Sequence, residues 1–147
     1  MNKKKFKLGF TCGSFDLTHS GHYLMFKKCK QFCDYLIVGL QSDPSVDRPD
    51  KNRPIQSLTE RKMQLESCKY IDKIIVYKTE KDLFKLLKKL NPNVRFIGAD
   101  WKGKNFTGSD LPINIIYNSR KHSYSSSSLR KRIYEIEKVL VNKNNPQ

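Results

Sequence analysis

Long hydrophobic runs are absent from this sequence, and no stretch approaches the length of a membrane-spanning helix. Glycine is scarce at 7 of 147 residues and no segment recurs, which excludes collagen-like and solenoid architectures. The four cysteines, Cys12, Cys29, Cys33 and Cys68, form no CxxC pair, so zinc knuckles and dithiol redox motifs are excluded and free buried thiols are expected. Acidic residues are also few. Fourteen against 29 basic residues give a formal charge of +15, which calls for an anionic partner: nucleic acid, a membrane surface or a phosphorylated small molecule. The basic stretch Lys3 to Lys5 is followed by residues interrupted at Lys7, not by the apolar core of a signal peptide, so a cytoplasmic protein is expected. What is present suffices for a folded core. Hydrophobic residues make up 37% and aromatics 11%, in a length that fits one domain.

Strand and helix signals alternate along the chain. Phe6 to Cys12 reads as a first strand stopping at Gly13, and Ser20 as the N-cap of a helix carrying Tyr23, Met25, Phe26, Cys29, Phe32 and Cys33 at helical spacing. The nearly continuous apolar run Tyr35 to Leu40 suits a strand covered on both faces. Gln41 to Gln56 carries Pro44, Pro49 and Pro54 among charged residues and reads as a long loop, a candidate lid. Ser57-Leu-Thr-Glu60 is a capping-box pattern opening a second helix with Leu58, Leu65 and Cys68 inward. Lys73 to Tyr77 is a third strand. Leu83, Leu86, Leu87 and Leu90 mark an amphipathic helix stopped by Asn91-Pro92. Val94 to Gly98 and Ile113 to Tyr117 supply two further strands. A last helix turns Leu129, Ile133, Ile136 and Leu140 to one side, and a polar tail at 142–147 follows a single domain at 1–141.

Five apolar strands separated mainly by helices predict an α/β, Rossmann-like three-layer fold with a five-stranded parallel sheet. In such a fold ligands bind at the carboxyl ends of the strands, near a switch in strand order. Three loops therefore carry the search for chemistry: Gly13 to Ser20, Ala99 to Asp110, and Asn118 to Ser126.

The first of these contains His19 and His22 flanking Gly21 at a helix start. Two switchable donors beside free backbone N–H groups and the positive end of a helix dipole suit an oxyanion such as a polyphosphate. A zinc site would want a third protein ligand, and the only other histidine is His122.

The string Gly13-Ser14-Phe15-Asp16-x-x-His19-x-Gly21-His22 resembles the signature of the HxGH nucleotidyltransferase superfamily, in the form carried by its cytidylyltransferase branch. Gly98-Ala-Asp-Trp101 resembles the GDDW segment of glycerol-3-phosphate cytidylyltransferases, and Arg120 to Ser127 their RTEGISTT motif. Glu60-Arg-Lys-Met resembles the stretch that supplies a substrate-binding arginine there, placing Arg61 in that role. Together these stretches run from about Phe6 to Ile136, nearly the whole chain.

The resemblance implies that a phosphomonoester oxygen attacks the α-phosphate of a nucleoside triphosphate and pyrophosphate leaves. CTP is the expected donor and glycerol 3-phosphate the leading acceptor; an adenylyltransferase using ATP and a sugar- or cofactor-phosphate is the alternative. His19, His22, Lys51 and Arg120 are implied as catalytic, with Arg53 competing with Lys51 for the loop position. Cys12, Gly13, Ser14, Phe15, Gly21, Asp100, Ser125, Ser126 and Ser127 would bind the nucleotide, and Asp16, Arg61 and Trp101 would lie toward the acceptor. Asp16 is read as a hydrogen-bond acceptor holding its loop, because an ionised phosphate nucleophile needs no base. Magnesium is expected on the nucleotide phosphates and not in a protein cage, and a homodimer is expected. The motif departs from the family at Lys121, His122 and Ser123 and at Ala99, so the resemblance carries phosphate binding further than it carries base choice and acceptor identity. A nucleic-acid module is disfavoured: 22 of the 29 basic residues are scattered lysines, and no aromatic platform accompanies them.

Overall fold

The computed structural model describes residues 5–144. Five strands, β1 (Phe6–Gly13), β2 (Cys33–Gln41), β3 (Lys73–Tyr77), β4 (Val94–Gly98) and β5 (Asn114–Asn118), alternate with α1 (Ser20–Phe32), α2 (Leu58–Glu66), α3 (Glu80–Leu90) and α4 (Ser126–Asn144). All pairings are parallel, in the order β3-β2-β1-β4-β5. The expected fold class is therefore the one found, and the order reverses between β1 and β4.

The parallel sheet is covered on both faces, as its apolar strands require. One face packs Phe26, Cys29, Cys33, Leu36, Val38, Leu40, Leu65 and Phe96 under α1 and α2; the other packs Phe10, Ile37, Tyr77, Leu83, Leu87 and Ile113 under α3. Gly39 is needed at the second: a Cβ there would lie 2.8 Å from the Phe10 ring. All four cysteines are free thiols, and burial pushes those of Cys29 and Cys33 up to about 12 and about 11.

The helix ends follow their cap chemistry. Ser57 and Glu60 form the expected reciprocal capping box on α2, Thr79 and Asp82 form another on α3, and Asn91 ends α3 in the left-handed region at φ 43°. Several boundaries differ from expectation; Cys33, expected in the first helix, begins β2, and α2 ends at Glu66, before Cys68. The N-cap of α1 is His19, and Ser20 is the first helical residue. Strand β5 begins one residue later than the apolar run suggests. Helix α4 continues through Asn144, so the segment expected as a tail is helical over 142–144, and 145–147 lie outside the described residues. The apolar side of α4 meets no core: Ile133 is 48% exposed, Ile136 60% and Leu140 46%.

The loop from Gln41 to Gln56 is less free than a lid. Its start forms a 3₁₀ turn at Pro44–Val46 capped by Asp43, Arg48 donates to the Gln41 side chain at 2.8 Å, and its end is tied to Asp16. Its longest exposed run is the tip, from Pro49 to Arg53.

Candidate functional site

A cleft of about 1110 Å³ opens across the carboxyl edge of the sheet, at the reversal in strand order. All three loops singled out by the topology line it, through Gly13, His19, Asp100, Trp101, Arg120 and Ser125 among others.

The histidine pair is the most constrained part of the cleft. His19 Nδ1 accepts from the backbone N–H of Gly21 at 3.1 Å, and His22 Nδ1 accepts from the backbone N–H of His19 at 3.2 Å. Two imidazoles thus play the parts that Ser and Glu play in an ordinary capping box. An acceptor Nδ1 in a neutral ring leaves the proton on Nε2, so each ring offers one N–H donor. Neutrality follows from the surroundings: burial, then His19, Arg120 and His122, hold His22 down at about 4, while burial and the charges of His122 and Arg120 lower His19. The rings lie 4.0 Å apart between centroids, and Phe15 packs edge-on against His22 at 5.6 Å. Phe15 reaches that position with φ 46°, a strained conformation for a bulky residue.

Gly21 is required by contact. A Cβ there would lie 2.6 Å from His122 Cε1 and 2.9 Å from His19 Cε1. His122, which the sequence offered as a departure from a motif and as the remaining histidine, is thus a third imidazole in the site, with a buried Nδ1 that has no hydrogen-bond partner among the described residues.

The remaining expected residues divide. Cys12, Ser14, Asp100, Trp101, Lys51, Arg120, Ser125, Ser126 and Ser127 all line the cleft. Ser125 caps the start of α4, its Oγ accepting from the Ser128 N–H at 3.0 Å, so the first turn of the helix, with Ser126 and Ser127, forms part of the cleft lining. Of the loop cations, Lys51 lines the cleft and lies 3.8 Å from Asp50, while Arg53 is 86% exposed and lies 3.9 Å from Asp43.

Two expected acceptor ligands hold the protein together instead. Arg61 is 1% exposed and donates to four carbonyls: Gln56 at 3.2 Å, Ser14 and Gln41 at 2.8 Å each, and Ser42 at 2.5 Å. Its fork joins the loop after β1 to both ends of the Gln41–Gln56 loop; four of its five N–H donors are engaged, and the side chain is not part of the cleft lining. Both Asp16 oxygens accept backbone N–H groups, from Ile55 and Gln56, each at 2.9 Å. Asp16 thus ties its own loop to the end of the Gln41–Gln56 loop.

A family model described as cytidylyltransferase-like matches residues 10–132. The chain is a member of the cytidylyltransferase-like family. Among curated proteins it is 36% identical over 133 residues to the bifunctional protein HldE of Campylobacter curvus and 36% identical over 128 residues to that of Helicobacter pylori strain Shi470. These alignments cover 90% and 86% of this chain but only 28% and 27% of the relatives, so this cytidylyltransferase-like chain spans little more than a quarter of their length. Among solved structures, the lipopolysaccharide core biosynthesis protein from Thermoplasma volcanium superposes with a TM-score of 0.63 at 24% identity, covering 82% of this chain and 99% of that one. Pantothenate synthetase from Thermus thermophilus superposes with a TM-score of 0.60 at 12% identity, covering 88% and 65%. Both share the fold. Membership makes this chain a nucleotidyltransferase-superfamily enzyme and places its HxGH string at the α1 N-terminus described above.

Among the described residues, no three His, Cys, Asp or Glu side chains are placed to hold one metal ion, and both oxygens of Asp16 are already engaged. No helix among those residues is long and apolar enough to cross a membrane.

Proposed function

We propose that the protein transfers a nucleotidyl group from a nucleoside triphosphate, CTP in the leading reading, to the phosphate of a small phosphomonoester, with release of pyrophosphate. The supporting observation is the pair of neutral imidazoles fixed at the N-terminus of α1, each with an Nε2–H free to donate, at the edge of a cleft that also holds Arg120 and the first turn of α4.

The transfer forms one bond, from an acceptor phosphate oxygen to the α-phosphorus, and breaks the bond from that phosphorus to the oxygen bridging to the β-phosphate. Little covalent assistance is required; the reactants are held in line and the growing negative charge is met by donors already in place. His19 and His22 would donate to the α- and β-phosphates, Arg120 and the start of α4 would take the terminal phosphates, and Lys51 would close from the loop tip. Magnesium bound to those phosphates would neutralise charge on the departing pyrophosphate, without a protein cage. Arg61 and Asp16 serve as positioning residues for the loops carrying Ser14 and Lys51.

Glycerol 3-phosphate is the acceptor favoured by the motif resemblance. A second reading, adenylyl transfer from ATP to a sugar phosphate, is favoured by the relatives matched at 36% identity, which are HldE proteins and not glycerol-3-phosphate cytidylyltransferases. Pyrophosphate release with magnesium, measured for the four nucleoside triphosphates crossed with small phosphomonoesters, tests both. Turnover confined to CTP supports the first reading, turnover confined to ATP the second, and silence across the panel removes both.

The reaction uses soluble reactants and would run in the cytoplasm. We also propose that the protein works as a homodimer paired through α4. Leu129, Ile133, Ile136 and Leu140 repeat at the 4-3-4 spacing of a coiled-coil seam on the face without a partner. Antiparallel pairing of two copies about a two-fold axis would bring Arg130 of one opposite Glu137 of the other.

A further inference from the structure

Arg95 is a charge in an unexpected place. It lies inside β4, between Val94 and Phe96, and parallel register puts it beside Phe10. Its side chain faces the α3 side of the sheet, above Phe10, Leu83 and Leu87, and only 5% of the residue is exposed. A buried guanidinium normally has an acidic partner, because leaving water without one is costly.

This one has none among the described residues. Its Nη1 donates to the Thr107 carbonyl, its Nη2 has only the Cys12 sulfur at 3.7 Å, and its Nε has no partner. The Phe106 ring lies 5.3 Å from the guanidinium carbon. The nearby acid of the same wall is already engaged: Glu80 pairs with Arg48 at 3.3 Å and accepts from the Thr107 hydroxyl at 2.5 Å. Holding one carbonyl would not need a charge. Arg95 nonetheless lines the cleft, together with Cys12, Tyr77, Leu83 and Phe106, while the histidine pair stands at the N-terminus of α1, which packs on the opposite face of the sheet.

We propose that Arg95 binds a second anionic group, a carboxylate or a further phosphate, carried by the acceptor in addition to its reacting phosphate. This rests on the nucleotidyl-transfer reading and selects among the acceptors that reading leaves open. Polyol phosphates with no second charged group, such as glycerol 3-phosphate, leave Arg95 unpaired; a phosphorylated hydroxy acid or a bisphosphate completes it.

Cys12 makes the site testable without turnover, since it is the one cysteine not buried and its sulfur lies beside the guanidinium. Alkylation by iodoacetate and by iodoacetamide uses the same thiolate attack with loss of iodide, so the ratio of the two rates at Cys12 reports on attraction of an anion and not on thiolate population. Peptide mapping should find iodoacetate favoured in the native protein, a preference lowered about tenfold in Arg95→Met and retained in Arg95→Lys, which keeps the charge. Equal ratios in all three folded proteins would overturn the proposal. In the turnover assay, 3-phosphoglycerate and propanediol bisphosphate are compared with glycerol 3-phosphate, separating carboxylate from phosphate as the second group. One of the two should exceed glycerol 3-phosphate in kcat/KM by about tenfold, and that advantage should vanish in Arg95→Met. Turnover of glycerol 3-phosphate as good as that of both acidic acceptors would also overturn it. If no acceptor turns over while the alkylation preference persists, the anion site stands and the reaction assignment falls.

Discussion

At the scale of the residue, the site depends on imidazoles kept neutral and oriented by the backbone. In the proposed transfer, replacing His22 or His19 with alanine removes one Nε2–H that would meet developing phosphate charge, and kcat should fall about 10²- to 10³-fold with the circular dichroism spectrum unchanged. The depressed pKa of His22 also links to stability. Its folded value of about 4 lies below the ordinary 6.5, so between those values the unfolded chain binds the extra proton. Stability from this group is complete above pH 6.5 and is lost as pH falls toward 4, by at most about 3 kcal/mol. Urea titrations of His22→Gln should show a shallower acid limb than the native protein over that interval. Arg61 behaves differently. Arg61→Met leaves four buried or half-buried carbonyls without a donor and should lower unfolding free energy by about 3 kcal/mol or more, with activity falling because the loops bearing Ser14 and Lys51 lose their tie. Had Arg61 been a substrate ligand, the variant would keep its melting temperature and lose only acceptor affinity.

At the scale of the element, the start of α1 combines a cap, a dipole and two donors in four residues, and Gly21 permits that density. Gly21→Ala inserts a methyl group 2.6 Å from His122 and 2.9 Å from His19, so one imidazole has to move. Turnover should drop by about tenfold or more while the melting temperature changes little, since alanine suits a helix interior better than glycine. The capping box on α2 is plainer. Ser57→Ala should cost about 1 kcal/mol by denaturant unfolding, the usual worth of an N-cap, with the catalytic constants retained.

At the scale of the whole molecule, α4 is the element that the described fold leaves unfinished. Its N-terminus belongs to the cleft through Ser125, Ser126 and Ser127, and its apolar stripe stands in solvent further along. Sedimentation should find a concentration-dependent dimer, and Ile136→Glu, on that stripe, should shift it to monomer. A monomer at every concentration in the native protein would assign the stripe instead to a partner other than this chain.

Much of the molecule was legible locally. Strands β3 and β4, the caps of α2 and α3, the stop at Asn91 and the parallel sheet follow from short-range pattern, because helix periodicity, strand apolarity and cap chemistry are properties of neighbouring residues. The string from Gly13 to His22 likewise carried its own chemistry, since both histidines and their backbone partners lie within four positions. What only the tertiary structure decided are contacts that join distant segments. Arg61 read as a ligand through the resemblance of its stretch, and Asp16 as a loop-holding acceptor whose partners were unknown; folding brought the Ser14 and Gln41 carbonyls to one and the Ile55 and Gln56 amides to the other. Arg95 had a local signal, a charge within an apolar strand, but only the assembled cleft leaves it without a partner. Chain neighbours determine secondary structure; whether a charged group is satisfied by its own protein or by a ligand depends on which remote atoms folding places against it.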